Sequence, residues 1–399
     1  MVLSKYRFQV NICWLFILIA MPLNFFYNYF FVKGFLPQIP GVGYPIFGHL
    51  LLFAILYVFI VNFKNFYEIK KPLLILLVFL IYCFVWSVLH LMYSLKYAGD
   101  FSVFNQSFVA LIYIFAFCIV FSYYYDYGSI IFKFLFILMF FVALAEMDFS
   151  FIIPFSFDNI AGTEDGHINY QLVSWFMLAT WFMFYFKENN IWMRIFSVFI
   201  VLFLLLISGG RSELVGFLLS GVSTLIVYSI FSRKKYQKFF IISLLIVVLI
   251  YFPIYLYHTY GGFFENSRHM QLLDYENSSS WQEREYIYKI NLQNIVDNPL
   301  IGAYGSHFEL GPGAYIHNIL SAWQQFGLLG FILYILIVIS PFFISIFYLF
   351  KDRDKFNIYP FFFISIYILI LSIATKPVFW PYAAMSMGML FAYMKFRKE

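Results

Sequence analysis

Long apolar runs are the feature that most constrains how this chain can fold. Runs of about 20 residues recur along the sequence, a length that lets a helix cross the hydrocarbon core of a bilayer. Such a helix makes all its backbone hydrogen bonds internally. Of the 399 residues, 63% are hydrophobic and 11% are charged, whereas soluble domains carry roughly a quarter charged residues. The sequence therefore predicts an all-α, polytopic membrane protein and excludes a water-soluble core.

The apolar runs predict about twelve transmembrane helices within a single integral membrane domain, 1–399. The first run follows Lys5 and Arg7 and lacks a clear cleavage site, so we predict an uncleaved span. The predicted spans are Phe8–Phe31, Tyr44–Val61, Pro72–Leu91, Phe104–Tyr123, Ser129–Ala145, Tyr170–Phe186, Ile191–Ser208, Ser212–Phe231, Phe239–Tyr257, Leu328–Phe350, Ile358–Ala374 and Val378–Met394.

The basic residues predict the orientation of these spans. With the N-terminus in the cytoplasm, 18 of the 25 Lys and Arg residues fall on the inner side. Cytoplasmic loops carry such an excess in membrane proteins, so we expect both termini inside. The net charge of +5 thus reflects topology, and we expect no nucleic-acid partner. The basic residues left on the outer side are Lys33, Lys96, Arg211, Arg268, Arg284, Lys289 and Lys376.

Two outer loops, 146–169 and 258–314, are too long to be simple connectors, and long loops are often functional. The segment Tyr315–Phe326 follows the larger loop and has a helical pattern. It would reach only about 18 Å, too short to span a membrane. We therefore predict a short helix lying at the outer surface.

Arg211 is the first candidate for function, since it follows Gly209 and Gly210 at the predicted start of a helix. Glycines allow close approach of the backbone, and a helix N-terminus offers free N–H groups and a positive dipole. These features favour a phosphate site. The alternative is an arginine that reaches the lipid headgroups without a specific role.

Arg284 and His317 are the other candidates. Arg284 lies in a predicted outer helix beside Glu283, Glu285 and Lys289, so it could also belong to a solvated ion-paired face. His317, in the predicted surface helix, is suited to general base catalysis near neutral pH, although a lone histidine is often structural. Arg268 is a weaker candidate. The histidines show no metal-ligand spacing and no nucleotide-binding motif is present, so we expect no cofactor or metal.

The order of these motifs resembles the O-antigen polymerase and O-antigen ligase superfamily. The arginine after a Ser-Gly-Gly turn precedes a span, a basic inner loop and a further span. Asp297–Gly302 (DNPLIG) resembles the family's "hPlfG" element. His317-Asn318, followed by Gly327–Gly330 (GLLG), resembles its "HN…GllG" element. The resemblance covers about 207–350.

This resemblance implies a membrane-embedded glycosyltransferase of the GT-C type, active on the periplasmic face of the bacterial inner membrane and independent of metals. By the same resemblance, Arg211 and Arg284 would bind the undecaprenyl pyrophosphate of a lipid-linked oligosaccharide donor. His317 would activate the hydroxyl of a lipid-linked acceptor, with inversion at the sugar. Membrane lipids and a chain-length regulator protein are further expected partners. Possible additional substrate ligands are Asn318, Tyr304, Arg268, Tyr315 and Asp165.

Three activities remain open on the sequence. A polymerase would join repeat units from one lipid carrier to the next, and this is the activity we favour. A ligase would move the polymer onto lipid A–core by the same donor chemistry. A flippase or transporter would need charges in the middle of its spans. The predicted spans contain almost no charged residues, which favours an enzyme whose polar groups collect on one face.

Overall fold

A computed structural model describes residues 2–37, 46–61, 70–93, 100–147, 170–231, 279–311, 314–352 and 357–398. Over these ranges the chain consists of helices and turns and contains no strand, which confirms the all-α prediction there. The helices, numbered within the described residues, are α1 Val2–Leu18, α2 Asn24–Val32, α3 Ile46–Val61, α4 Lys70–Tyr93, α5 Asp100–Phe121, α6 Ile130–Glu146, α7 Tyr170–Tyr185, α8 Ile191–Ile207, α9 Arg211–Phe231, α10 Ser279–Asp297, α11 Ser321–Lys351, α12 Ile358–Ala374 and α13 Met385–Lys398.

Five helices in the described ranges are long and apolar enough to cross a membrane, and each overlaps a predicted span. The last of them joins part of the predicted surface helix Tyr315–Phe326 to the predicted span Leu328–Phe350. The apolar helices α8 and α12 are shorter. The chain therefore has the helices of a membrane protein, while the number of twelve spans stays a prediction. The predicted span Phe239–Tyr257 lies outside the described residues. The five long helices are Tyr6–Val32, Pro72–Met92, Phe101–Phe121, Arg211–Ile230 and Ser321–Lys351.

The described residues form two compact units, the first drawn from Met1–Ala54 and Asp126–Tyr275. In this unit α1 continues into α2 through a π-helical turn, Ile19–Leu23, that contains Pro22. Proline lacks the N–H that an α-helix would use at this position, and a wider turn accommodates it. Helix α7 packs between α6 and α8, and α9 packs on both α7 and α8. Helix α9, which begins at Arg211, is therefore held by two neighbouring helices.

The second unit, drawn from Ile55–Tyr125 and Glu276–Glu399, is built around α11. Helix α11 contacts α4, α10, α12 and α13, and α5 packs against α4 and α13. A Cβ atom added to Gly388 of α13 would overlap the carbonyl oxygen of Cys118 on α5. The absence of a side chain at Gly388 thus lets these two helices approach closely, as small residues do between membrane helices.

Charged side chains gather at the C-terminal end of α11. Asp352 accepts hydrogen bonds from Nε of Arg397 at 2.8 Å and from the hydroxyl of Tyr393 at 2.9 Å. Nζ of Lys395 lies 5.2 Å from the centre of the Tyr123 ring. Helix α11 has 31 residues, about 46 Å at 1.5 Å per residue, so this cluster is far from the residues that precede the helix.

Two helices begin later than the sequence predicts. The short helix predicted over Tyr315–Phe326 begins only at Ser321, because the side chain of Asn318 organises the preceding residues into a turn. The helix predicted from Val378 begins at Met385, and Pro377 and Pro381 lie in the turns before it. Proline cannot donate a helical hydrogen bond, which explains why the apolar run overestimates this helix.

Gly302 and Gly327 bring the DNPLIG and GLLG elements into contact. Gly327 interrupts α11 with φ +66° and ψ −172°, a conformation that only glycine adopts readily. At this break the N–H of Leu328 donates to the carbonyl of Leu300 at 3.2 Å, and that of Ala303 donates to Gln324 at 2.7 Å. A Cβ added to Gly302 would lie 2.6 Å from the nitrogen of Gly327. We call this contact the glycine clasp.

The glycine clasp makes Gly327→Ala strongly destabilising. The new methyl group would overlap the carbonyl oxygen of Leu300 and would also occupy a strained backbone conformation. Gly34→Ala is the matched control, since Gly34 has φ +74° and open space around it. We expect the control to lose about 1–2 kcal/mol and Gly327→Ala at least twice as much. Thermal unfolding of the detergent-purified proteins measures this, and equal losses would contradict the clasp.

Candidate functional site

In the first unit, Arg211 stands at the N-terminus of α9, as predicted. The preceding turn needs both glycines. Gly209 has φ +67°, and a Cβ on Gly210 would overlap Oγ of Ser174 on α7. The sequence suggested that these glycines allow a close approach of the backbone, and in the structure the backbone of Gly210 lies close to Ser174 of α7. This contact fixes the start of α9, and therefore the position from which the half-buried Arg211 extends.

Glu213 lies two residues after Arg211 and is only 1% exposed, a placement that the sequence did not suggest. Its Oε2 accepts a hydrogen bond from the Ser212 hydroxyl at 2.8 Å. A carboxylate in the first turn of a helix is stabilised by the free N–H groups and the dipole there. The N-terminus of α9 therefore carries a buried acid as well as an arginine.

In the second unit, three separate elements bring polar side chains to one place. Helix α10 supplies Arg284, the turn before α11 supplies His317, and the segment after α12 supplies Lys376. Burial is the main cause that lowers the pKa of His317 from 6.5 to about 4. The positive charges of Arg284 and then Lys376 lower this pKa further. At neutral pH the imidazole is therefore uncharged and able to accept a proton.

The turn that carries His317 is held by its own hydrogen bonds. Oδ1 of Asn318 accepts from the N–H of Leu320 at 2.9 Å, and the carbonyl of Asn318 accepts from Oγ of Ser321 at 2.7 Å. Oγ of Ser321 in turn accepts from the N–H of Val378 at 2.7 Å. Asn318, predicted as a possible substrate ligand, thus uses its side-chain oxygen within the turn, and the turn is attached to the segment that follows Lys376.

Arg284 differs from its charged neighbours on α10. Glu285 and Lys289 form an exposed ion pair of 2.7 Å, which accounts for the solvated face that the sequence suggested. Arg284 is half-buried and makes no ion pair with any residue of the described ranges. Its guanidinium is therefore not committed to the exposed pair on its own helix.

A buried network of amides connects α10 to the His317 turn. Nδ2 of Asn291 donates to the carbonyl of Ala314 at 2.8 Å, and Oδ1 of Asn291 accepts from Nε2 of Gln324. Gln324 also donates to Oγ of Ser306 at 3.2 Å and accepts from the N–H of Ile316 at 3.4 Å. Because Asn291 and Arg284 share α10, this network sets the position of His317 relative to Arg284.

A second histidine, His307, lies beside this turn with no exposed surface. Oε1 of Gln325 accepts from the N–H of Gly305 at 3.0 Å, so Nε2 of Gln325 donates to Nδ1 of His307 at 3.1 Å. The proton of the neutral ring is therefore on Nε2. Burial lowers the pKa of His307 to about 4. The His307 ring lies 5.4 Å from that of Tyr315, which lies 5.3 Å from that of His317.

The remaining predicted ligands have different surroundings. The hydroxyl of Tyr304 is within hydrogen-bond distance of Oγ of Ser107, at 2.9 Å, and its ring lies 5.1 Å from that of His90. These contacts attach the segment that follows α10 to the helices α4 and α5. Tyr315 lies between the two histidines. Arg268 and Asp165 fall outside the described residues, so their roles stay predictions.

Comparison with protein families identifies the matching part of the chain. Residues 196–335 match the family model described as O-antigen ligase. This match confirms the resemblance to the O-antigen polymerase and ligase superfamily. The matched segment contains Arg211, Arg284 and His317, and it ends before Lys376. No curated protein and no solved structure matches the chain.

Sequence reasoning about the matched segment missed the residues that support the site. Gln324 and Gln325 are adjacent amides at the start of an otherwise apolar run, and that pattern could have marked them as buried and hydrogen-bonded. Asn291 offers no such signal, because α10 is polar throughout. Lys376 was assigned to the outer side but to no site. Its proximity to His317 depends on the folding of α12 back along α11.

Acid should destabilise the second unit through His307. The unfolded chain, with an ordinary histidine pKa of 6.5, takes up the proton before the folded state, whose pKa is about 4. Stability present above pH 6.5 is therefore lost as the pH falls towards 4, by up to about 3 kcal/mol. The variant His307→Asn keeps an acceptor for Gln325 but does not titrate. We expect its melting temperature to fall less between pH 7 and pH 4.5 than that of the wild type. An identical loss would contradict this assignment.

Proposed function

We propose that this chain is a membrane glycosyltransferase that polymerises lipid-linked oligosaccharide repeat units of a surface polysaccharide on the periplasmic face of the inner membrane. The family match supports a polymerase or a ligase of O-antigen. The observation that carries the proposal is the convergence, within one unit, of the neutral His317 with Arg284. These are the two kinds of group that transfer from a diphosphate donor requires.

The proposed reaction assigns each group a step. The acceptor hydroxyl oxygen attacks the anomeric carbon of the donor sugar, and the proton of that hydroxyl passes to a ring nitrogen of His317. The bond between the anomeric carbon and the diphosphate oxygen breaks, and its electron pair leaves with undecaprenyl pyrophosphate. Arg284 stabilises the charge that develops on the leaving group, which lowers the barrier because the interaction is strongest in the transition state. Attack opposite the leaving group inverts the sugar.

The electrostatics of the site couple the base to the donor. In the free protein the pKa of His317 is about 4, which makes the imidazole a weak base. A diphosphate bound at Arg284 would oppose the positive charges that lower this pKa. His317 would then become more basic in the complex, closer to the pKa that suits a general base at neutral pH.

Arg211 is proposed as a further ligand of the diphosphate. This role rests on the family motif and on its place at the N-terminus of α9, where free N–H groups favour anions. The buried Glu213 lies two residues after it in the first turn of α9. The role of Arg211 is tested with its own variant, separately from the roles of Arg284 and His317.

A ligase is the second candidate, favoured by the description of the family model itself. It would use the same donor and the same His317 and Arg284, and would differ in the acceptor, lipid A–core. The two activities therefore predict the same essential residues and different products in the cell.

Substitution of the proposed residues should abolish transfer. In a strain that lacks the gene, we expect Arg211→Ala, Arg284→Ala and His317→Ala each to fail to restore the polysaccharide ladder on a lipopolysaccharide gel. Losing a general base or a leaving-group ligand typically costs at least 100-fold in rate. Lys289→Gln is the matched control on α10, since Lys289 belongs to the exposed pair, and it should restore the ladder.

The same gel separates the two activities. Core carrying a single repeat unit indicates a polymerase, whereas bare core with accumulating lipid-linked polymer indicates a ligase. All variants must be present in the membrane in wild-type amounts. A normal ladder from all three alanine variants would refute the proposed site, and an unchanged ladder without the gene would direct attention to other surface polysaccharides.

The pH dependence of the purified enzyme should report the coupling of His317 to the donor. The acid limb of kcat/KM reflects the free enzyme and should fall near the pKa of about 4. The acid limb of kcat reflects the substrate complex, where the bound diphosphate raises the pKa of His317, so it should lie at higher pH. Initial rates with a lipid-linked donor between pH 4 and pH 8 measure both. Coincident acid limbs would contradict the coupling.

A further inference from the structure

Exposed apolar side chains form a stripe on α10, a helix of the predicted outer loop. Tyr288, Leu292 and Val296 follow one another at intervals of four residues, which places them on one side of the helix. All three are exposed, Val296 to 62%. Asn291 and Ile295, by contrast, are buried. The stripe is therefore separate from the face by which α10 packs on the rest of the second unit.

The stripe continues into the segment that follows α10. Leu300 is 70% exposed and Ile301 is 55% exposed, although both belong to the DNPLIG element of the glycine clasp. The carbonyl of Leu300 accepts a hydrogen bond from the N–H of Leu328 at 3.2 Å, so these residues lie beside the break in α11. Just after the break, Leu329 and Ile332 of α11 are exposed as well. An exposed apolar surface therefore runs from α10 through the clasp onto α11.

The length of α11 sets the depth of this surface in a bilayer. The apolar part of α11 runs from Leu328 to Phe350 and is followed by Lys351 and Asp352. It has about 23 residues and extends about 34 Å, slightly more than the roughly 30 Å of a hydrocarbon core. Because the two charged residues stay outside the hydrocarbon at one end, the glycine clasp at the other end lies at the boundary between hydrocarbon and headgroups.

Trp323 indicates the same depth for the clasp. Its indole Nε1 donates to the carbonyl of Pro299 at 2.6 Å, and its ring stacks on that of Phe331 with the ring centres 4.9 Å apart. Tryptophan is enriched at membrane–water interfaces, where its ring meets apolar groups and its N–H keeps a hydrogen bond. The bond to Pro299 attaches this tryptophan directly to the segment that carries the exposed Leu300 and Ile301.

The charged residues of α10 limit how much of the helix can meet hydrocarbon. Glu285 and Lys289 form their exposed ion pair in the first half of the helix. Glu285 lies seven residues before Leu292, and hence on the same side. On another side, Nε2 of Gln293 donates to Oδ1 of Asp297 at 2.8 Å, and both residues are exposed. Because burial of these polar groups in lipid would cost free energy, only the stripe in the second half of α10 suits insertion.

We propose that the second half of α10, together with Leu300 and Ile301, is a membrane anchor that inserts into the bilayer leaflet on the clasp side of α11. Its partner is lipid hydrocarbon, because the stripe is continuous with the exposed apolar side of a helix that has the length and hydropathy of a membrane span. The inference does not rest on the proposed function. Where that function holds, the anchor keeps Arg284, one helical turn before Tyr288, near the headgroups and therefore near the diphosphate of a lipid-linked donor.

Site-directed spin labelling of the full-length protein in nanodiscs of phosphatidylethanolamine and phosphatidylglycerol tests the anchor. Labels at Val296→Cys and Leu300→Cys should collide readily with oxygen, which concentrates in hydrocarbon, and several-fold less with a water-soluble nickel complex than a label at Gln293→Cys. Gln293→Cys is the matched control, since Gln293 is exposed on the polar side of the same helix. Ile332→Cys on α11 provides the reference for lipid contact. The wild type measures background labelling, which should be low because its cysteines are buried: Cys13, Cys83 and Cys118.

Two outcomes of this measurement would overturn the anchor. Nickel accessibility at Val296 and Leu300 equal to that at Gln293 would show that the stripe faces water. Low accessibility to both reagents would show that protein, from this chain or from a partner, covers the stripe.

A second measurement needs no variant. Phosphatidylglycerol with a photoreactive diazirine on its acyl chain should label Leu300 or Ile301 of the wild type in vesicles, as located by mass spectrometry. Labelling of Ile332 without any labelling of Leu300 or Ile301 would overturn the anchor. Neither measurement uses transfer activity, so the two proposals fail separately. An active enzyme whose stripe faces water contradicts the anchor alone, and an inserted stripe in a protein without transfer activity contradicts the proposed function alone.

Discussion

The close contact between Gly302 and Gly327 is the constraint on which the second unit depends. It places the segment that follows α10 against the break in α11. The two backbones exchange hydrogen bonds there, and a side chain at Gly302 or Gly327 would prevent this close approach. The break separates the first helical turns of α11 from its long apolar part. The orientation of the His317 turn is therefore not set by the direction of the long apolar part of α11, which packs against α4 and α12. The two sequence motifs are thus two halves of one packing contact.

The buried polar side chains of this unit are a consequence of the same constraint. A turn at the end of a membrane helix exposes backbone groups that need partners, because an unpaired buried N–H or C=O costs about 1–3 kcal/mol. Asn291, Gln324 and Gln325 provide those partners, and they do so from both sides of the clasp. The network holds the His317 turn in place beside α10, which carries Arg284. Rigid support of this kind is what a site needs in order to keep a base and a cation at fixed separation.

The sequence predicts much of the helical structure because apolar length is a strong signal. The predicted ends of α12 agree with the structure, and α9 begins one residue before its predicted span, at Arg211. The starts predicted for the surface helix Tyr315–Phe326 and for α13 were wrong because local chemistry overrode the apolar pattern, through the Asn318 turn in one case and Pro377 and Pro381 in the other. Arg284 and His317 were found through motifs. Lys376 was not, since the docking of its segment on the His317 turn, through Val378 and Ser321, depends on tertiary packing between segments far apart in sequence.

The charges around His317 also suggest how an enzyme of this kind would avoid hydrolysis of its donor. A strong base at a site open to water would activate water as readily as a sugar hydroxyl. Here burial, together with the positive charges of Arg284 and Lys376, holds the pKa of His317 to about 4, so the base is weak in the free protein. Under the proposed function, donor binding would both supply the electrophile and increase the basicity of His317. The positive charge of Arg284 would then stabilise the leaving diphosphate as its negative charge increases. The residue that helps to keep His317 a weak base in the free protein would thus also assist the departure of the leaving group.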